Sequence, residues 1–197
     1  MNQKFYDLRK EKQDKILGAS MEIFAKYGYK NGSCDKIASN AHISKGLLFH
    51  YFETKEELYQ YTYSFASMVL KYEVQNYKFD EKNDYFGRIR EMIDIASKVT
   101  EVFPYGIPFL ELNSNESKEF DDISKKIEFM EKMSGDLLEN KVSNLIMQGI
   151  DTDNLLHMLK NISDGCIRKL IEKNIFSADT YKKEMSKYID ILEKISN

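Results

Sequence analysis

The chain has 197 residues, 42% of them hydrophobic, and a formal net charge of -3, so it can bury a sizeable core and is too apolar for wholesale disorder. Pro104 and Pro108 are its two prolines, which leaves long intervals open to helix, and no run approaches the roughly 18 apolar residues of a membrane span. Cys34 and Cys166 lie far apart without a Cys-x-x-Cys spacing, which indicates neither a disulfide framework nor a zinc site, and both read as packed thiols.

The expected fold is all-α, in about nine helices. The N-terminus lacks the apolar h-region of a signal peptide, so the protein is expected in the cytoplasm. From Gln13 the apolar residues Ile16, Leu17, Ile23, Phe24 and Tyr27 recur at helical spacing, and Gly28 follows as a C-terminal stop. Ser33 then offers an N-cap oxygen and Asp35 a first-turn negative charge, opening a short helix that presents Ile37, Ala38 and Ala41 inward and ends by His42. Ile43 falls in a tight turn. Ser44 caps a third helix whose Leu48 and Phe52 share one face at i, i+4, so that Lys45, Leu47 and His50 point away from the core. Thr54-x-x-Glu57 is a capping-box pattern that starts a fourth helix at Lys55.

Leu58 to Tyr77, with Phe65, Met68, Val69 and Tyr72, reads as one long helix that leaves this head and bridges to a body. A further helix from Asp84 to Val102 buries Phe86, Ile89, Met92, Ile93 and Ala96. Pro104-Tyr105-Gly106-Ile107-Pro108 breaks the chain, and a short helix follows before the polar stretch Asn113 to Ser117. Phe120 to Leu138 is amphipathic through Phe120, Ile123, Ile127, Met130, Met133 and Leu137. Val142, Leu145, Ile146 and Met147 either extend that helix or form an irregular segment ending at Gly149.

Two clear helices close the chain, one carrying Leu155, Leu159, Ile162, Cys166 and Leu170, the other Tyr181, Met185, Tyr188, Leu192 and Ile195. The second set repeats at 4, 3, 4, 3, the spacing with which one helix packs along another at a shallow angle. Burial inside the monomer and pairing with a second copy both fit that pattern.

Charge is divided unevenly. Through Lys55 there are 10 Lys and Arg against 6 Asp and Glu, a net +4, and the remainder carries 19 against 26, a net -7. A basic head on an acidic body suits a polyanionic partner, because lysines near phosphates gain by releasing condensed counterions. Enzyme signatures are absent: no phosphate-binding glycine loop, no His-Glu-x-x-His, and three scattered histidines, His42, His50 and His157. No catalytic residue, metal site or cofactor is expected. Asp151-x-Asp153 has the opening spacing of a calcium loop, but Leu156 stands where that loop needs glycine.

The segment from Ile16 to Tyr59 resembles the TetR family of bacterial transcription regulators. The resemblance rests on Ile37-Ala38-x-x-Ala41-x-Ile43-Ser44-Lys45-Gly46-x-Leu48-Phe49-x-Tyr51-Phe52-x-x-Lys55-Glu56-Glu57-Leu58, about a quarter of the chain with the residues before it. It implies a helix-turn-helix DNA-binding domain over residues 1–54, with the motif at 33–52. A larger helical ligand-binding and dimerisation domain would follow over 55–197, its last two helices, 153–173 and 178–196, forming a homodimer interface. The partners implied are a double-stranded DNA operator, a second copy of the chain and a small-molecule inducer; no membrane is implied.

The residues then fall into roles. Gly46 admits close backbone approach to DNA at a cost of about 1 kcal/mol of helix stability. Lys45 and Lys55 are placed for phosphates, Leu47 and His50 face outward toward base edges or a thymine methyl, and Tyr51 has a hydroxyl for a phosphate. Ser33 and Ser44 sit at helix N-termini, where free amides favour phosphate. Phe49 departs from the tyrosine common in the family, so packing must replace a phosphate hydrogen bond. Gly32 stands where a threonine or serine often precedes the second helix, which removes another contact. Phe65, Met68, Tyr72, Met92, Phe103, Phe109 and Met130 are candidates to line an apolar or aromatic ligand pocket, or simply core. The resemblance implies a regulator, a repressor released by such a ligand; a DNA-bound structural or division-control adaptor with a protein partner is the alternative.

Overall fold

The computed structural model describes residues 3–114, 119–142, 145 and 149–196. Ten helices are described among them: α1 (Gln3–Tyr6), α2 (Lys10–Asn31), α3 (Cys34–Asn40), α4 (Lys45–Tyr51), α5 (Lys55–Asn76), α6 (Tyr85–Val102), α7 (Gly106–Leu112), α8 (Asp121–Glu139), α9 (Thr152–Glu172) and α10 (Ala178–Ser196). The protein is all-α among the described residues, as its periodicity requires, and no helix there is long and apolar enough to cross a membrane. Ile146 and Met147, together with residues 115–117 of the polar stretch, lie outside the described residues.

The chain divides into two compact units, Met1–Val69 with Phe103–Ile127, and Leu70–Val102 with Glu128–Asn197. In the first unit, α2 turns its apolar stripe of Ile16, Leu17, Ile23 and Phe24 inward. Gly28, expected to stop this helix, takes φ 71° and ψ 177°, a conformation that a side chain would strain, and kinks it. One further helical turn then carries the chain to Asn31. Asp121–Glu139 and α5 begin and end within two residues of their expected limits.

α7 corrects the expected position of the short helix, because it starts at Gly106, inside the proline-containing break. Pro108 is its third residue, where the missing amide hydrogen has no intrahelical acceptor to lose. Phe109 of α7 is fully buried, with its ring 5.4 Å from Tyr59, 5.6 Å from Tyr63 and 6.0 Å from Phe24. The Asn113 side-chain amide donates to the Phe24 carbonyl at 3.1 Å, which satisfies a carbonyl of α2 and ties the end of α7 to it.

In the second unit α6 packs on α10, and α10 on α9. Ion pairs fix these contacts: Arg90 reaches Asp190 and Glu193, both at 2.7 Å, Lys182 reaches Asp94 at 2.6 Å, and Lys169 reaches Glu184 at 2.7 Å. Between α9 and α10 the hydroxyls of Ser163 and Tyr181 lie 2.9 Å apart in the interior. α6 buries more of its circumference than one apolar stripe predicts. Arg88 is 3% exposed, stacked 4.5 Å over the Phe79 ring and 3.2 Å from the Glu91 carboxylate. Glu91 also accepts the Asp80 amide at 2.8 Å, so a buried charge pair anchors the loop before α6. Asp151 caps α9 by accepting from the amides of Asp153 and Asn154, the helical role that its spacing supports in place of a calcium loop.

Candidate nucleic-acid interface

Helices α3 and α4 stand where the spacing of caps and apolar residues predicts. The Ser33 hydroxyl accepts from the Lys36 amide at 3.4 Å, and the Ser44 hydroxyl from the Leu47 amide at 3.1 Å. Each serine satisfies one of the amides that a helix start leaves free. The turn between the helices closes with the Ile43 amide donating to the Ala38 carbonyl at 3.0 Å, while His42 takes φ 57°. That is the left-handed helix end usually given to glycine, here held by histidine.

α4 has two different sides. Leu48 and Phe52 are buried, and Lys45, Gly46, Leu47 and His50 are exposed. Phe49 is half-buried, in line with a packing role. Tyr51 is 8% exposed, with its ring 6.1 Å from Phe5. The buried side rests on α1, which lies outside the expected set of helices. Phe5 is fully buried, 4.8 Å from the Phe52 ring and 5.4 Å from Tyr61. Gln13 secures this segment by donating to the carbonyls of Tyr6 and Leu8. The signal was the pair of aromatics at Phe5 and Tyr6, too short a run to show helical periodicity.

The cations of this face already have partners. Lys45 donates to Asp35 at 2.8 Å, joining α4 to α3, and that bond holds its ammonium above the ordinary lysine range. Lys55 is half-buried. It donates to the Lys30 carbonyl at 3.1 Å and lies 4.9 Å over the Tyr29 ring, so it caps the end of α2. Lys36 lies 4.5 Å over Tyr27. Cys34 is buried, which pushes its thiol up and keeps it protonated.

Glycines on this unit separate into two kinds. A Cβ on Gly46 would meet nothing within 4 Å, so the exposed backbone of α4 is bare by no demand of the fold. A Cβ on Gly32 would come within 2.7 Å of Phe24 Cδ1 and 2.8 Å of the Gly28 carbonyl oxygen. Gly32 is therefore a packing requirement, a cause that the family pattern does not reveal. The expected capping box also differs in detail: the Glu57 amide donates to Thr54 Oγ1 at 3.0 Å, but the Glu57 carboxylate returns to the Glu53 amide at 2.8 Å, one residue before the cap.

The seven pocket candidates are scattered in character. Phe103 and Phe109 are buried core of the first unit, Phe65 packs edge-on to Phe103 at 5.3 Å, and Met92 and Met130 are half-buried in the second. Met68 and Tyr72 are 57% and 62% exposed and enclose nothing by themselves.

Residues 16–62 match the family described as bacterial regulatory proteins, tetR family. Over 47 residues the chain is 43% identical to the HTH-type transcriptional regulator QacR of Staphylococcus aureus, a match that spans 24% of this chain and about a quarter of that relative's length. A TetR family transcriptional regulator from Chloroflexus aurantiacus superposes with a TM-score of 0.65 at 18% identity, covering 98% of this chain and 96% of that one. The TetR family regulator PfmR from Thermus thermophilus gives 0.54 at 18% identity over 90% and 96% of the two chains. A TetR-like regulator from Rhodococcus sp. gives 0.53 at 14% over 92% and 95%. At these identities the structural likeness concerns the fold.

Proposed function

We propose that this chain, a member of the TetR family of bacterial transcriptional regulators, represses transcription by binding a palindromic operator as a homodimer and is released by a small, mainly apolar or aromatic ligand. The observation that carries the DNA reading is the two-sided α4, anchored by Leu48 and Phe52 and open along Lys45, Gly46, Leu47 and His50. A helix so mounted can enter a major groove with its bare Gly46 backbone nearest the duplex. Lys45 and Lys55 would turn from Asp35 and the Lys30 carbonyl to phosphates, Leu47 and His50 would meet base edges, and Ser33, Ser44 and Phe49 would set the register. Tyr51 contributes mainly by packing against Phe5.

Pairing of two copies has its support in α9 and α10. Ile191 and Ile195 of α10 are 52% and 76% exposed, and Met158 of α9 and Ile175 in the connection between the two helices are also exposed, an apolar cost that a second copy would remove. Two recognition helices related by a two-fold axis read successive grooves roughly 34 to 36 Å apart. A ligand shifts that arrangement only by its differential affinity for the two states.

The test is fluorescence anisotropy of the full chain on the promoter fragment of its own gene, across a salt series. Binding should weaken linearly with log salt and saturate at two protomers per site. Sequence-independent binding of a monomer, unaffected by every compound that binds the body, would falsify the repressor reading.

A further inference from the structure

Several carboxylates of the second unit are neutralised by ion pairs. Asp94, Asp190, Glu193, Glu184, Glu91 and Glu131 each face a lysine or arginine. Asp136, Glu139 and Asp153 belong to those with no ion pair among the described residues, and they differ from the rest in sharing one cleft. The three line one cleft of about 300 Å³, formed by the start of α6, the end of α8 and the start of α9. Lys141, the next cation along the chain, is directed to the Glu81 carbonyl at 2.7 Å and leaves them unneutralised.

A second observation comes from the same cleft. Tyr85 lines it and is 2% exposed, yet its buried hydroxyl has no hydrogen-bond partner. An unmatched buried hydroxyl is a standing loss that a ligand atom can recover. Burial, with the Asp153 carboxylate, pushes the Tyr85 phenol up to about 12, so it stays protonated and can donate or accept. Leu138, Val142 and Leu156 make the rest of the lining largely apolar, and a Cβ on Gly135 would meet nothing within 4 Å, so there is room along α8.

The arrangement decides the kind of cation. Among the described residues no group of three acidic, thiol or imidazole side chains is close enough together to hold a metal ion. Charge spread around an apolar cleft instead suits an organic cation, whose ammonium needs several acceptors and whose body needs apolar wall.

We propose that this cleft binds an organic amine, its ammonium group among Asp136, Glu139 and Asp153 and donating to the Tyr85 hydroxyl, its apolar or aromatic body against Leu138 and Leu156. As a binding site the cleft stands alone; as the inducer site it rests on the reading that the body senses a small molecule.

Calorimetric titration of the full chain with phenethylamine and with its neutral counterpart 2-phenylethanol tests the assignment. The amine should bind at least roughly tenfold tighter than the alcohol, with an affinity that falls as salt is raised. Asp136→Asn with Glu139→Gln, both at exposed positions, should remove most of that preference without lowering the unfolding temperature. Tyr85→Phe should weaken amine binding while leaving the fold intact. Equal affinity for the two compounds, no binding of either, or an amine affinity untouched by the double variant overturns the site. Operator anisotropy on the same samples separates the two readings. Amine binding without operator release keeps the site and removes induction through it, whereas release by another compound with no amine binding keeps induction and removes the site.

Discussion

The exposed α4 face of the first unit and the cleft of the second carry opposite charge and opposite states of pairing. On the face, Lys45 holds Asp35 and Lys55 holds a backbone carbonyl and a tyrosine ring. In the cleft, three carboxylates hold no counter-charge among the described residues and a tyrosine hydroxyl has no partner. The difference suits the partners proposed for each region. A surface ion pair is worth about 0.2–1 kcal/mol, and a duplex that returns counterions to solution displaces it easily. A small amine brings one charge and no such reservoir, so a site for it works best when its acceptors are not already paired.

The largest expected effect tests whether the face is held as tightly from behind as it is open in front. Gly32→Ala should destabilise the fold by about 1–3 kcal/mol, read from the urea midpoint, because Phe24 and the Gly28 carbonyl must both move. Gly46→Ala makes the contrast within the same unit. It should stabilise α4 by about 1 kcal/mol and still weaken operator binding, since the new methyl meets nothing until DNA arrives. Tighter binding by that variant would mean that α4 does not approach the duplex at Gly46.

Lys55→Ala should flatten the salt dependence of operator binding by about 0.9, one phosphate contact, and cost roughly 0.5–1.5 kcal/mol through loss of the bond to Lys30. An unchanged slope with lowered stability would leave Lys55 a helix cap alone. Asp35→Asn removes the internal competitor of Lys45. Operator affinity should rise a few-fold, in keeping with the ~0.2–1 kcal/mol of an exposed pair, and the gain should vanish in a Lys45→Ala background. Smallest of all is Tyr85→Phe, which should leave stability within about 0.5 kcal/mol, because the hydroxyl it removes bonds to nothing in the protein. A large loss would reveal a hydrogen bond at that hydroxyl and weaken the case for the cleft.

Much of the first unit is legible residue by residue. Ser33, Ser44 and Thr54 act within three positions of themselves, and Leu48 and Phe52 meet through one helical turn, so neighbours along the chain carry the whole signal. The part that escaped is the part made at a distance. Phe5 packs on Phe52 across 47 positions of sequence, and Asn113 bonds to Phe24 across 89. Among the seven aromatic and methionine pocket candidates, Phe109 reads the same whether it lines a cavity or fills a core. Its fully buried ring among Phe24, Tyr59 and Tyr63 is a core environment.

What the sequence by itself determined is the all-helical architecture, the two-helix motif and the limits of the last two helices, because periodicity, caps and breakers act over one or two turns. Tertiary structure alone decided which charges pair between elements and which become buried. Arg88 and Glu91 are buried together, Lys45 meets Asp35 ten residues away, and Asp136, Glu139 and Asp153 meet Tyr85 from three separate helices or their ends. Coulomb and hydrogen-bond energies depend on separation in space and on burial, and neither quantity exists until the helices have packed.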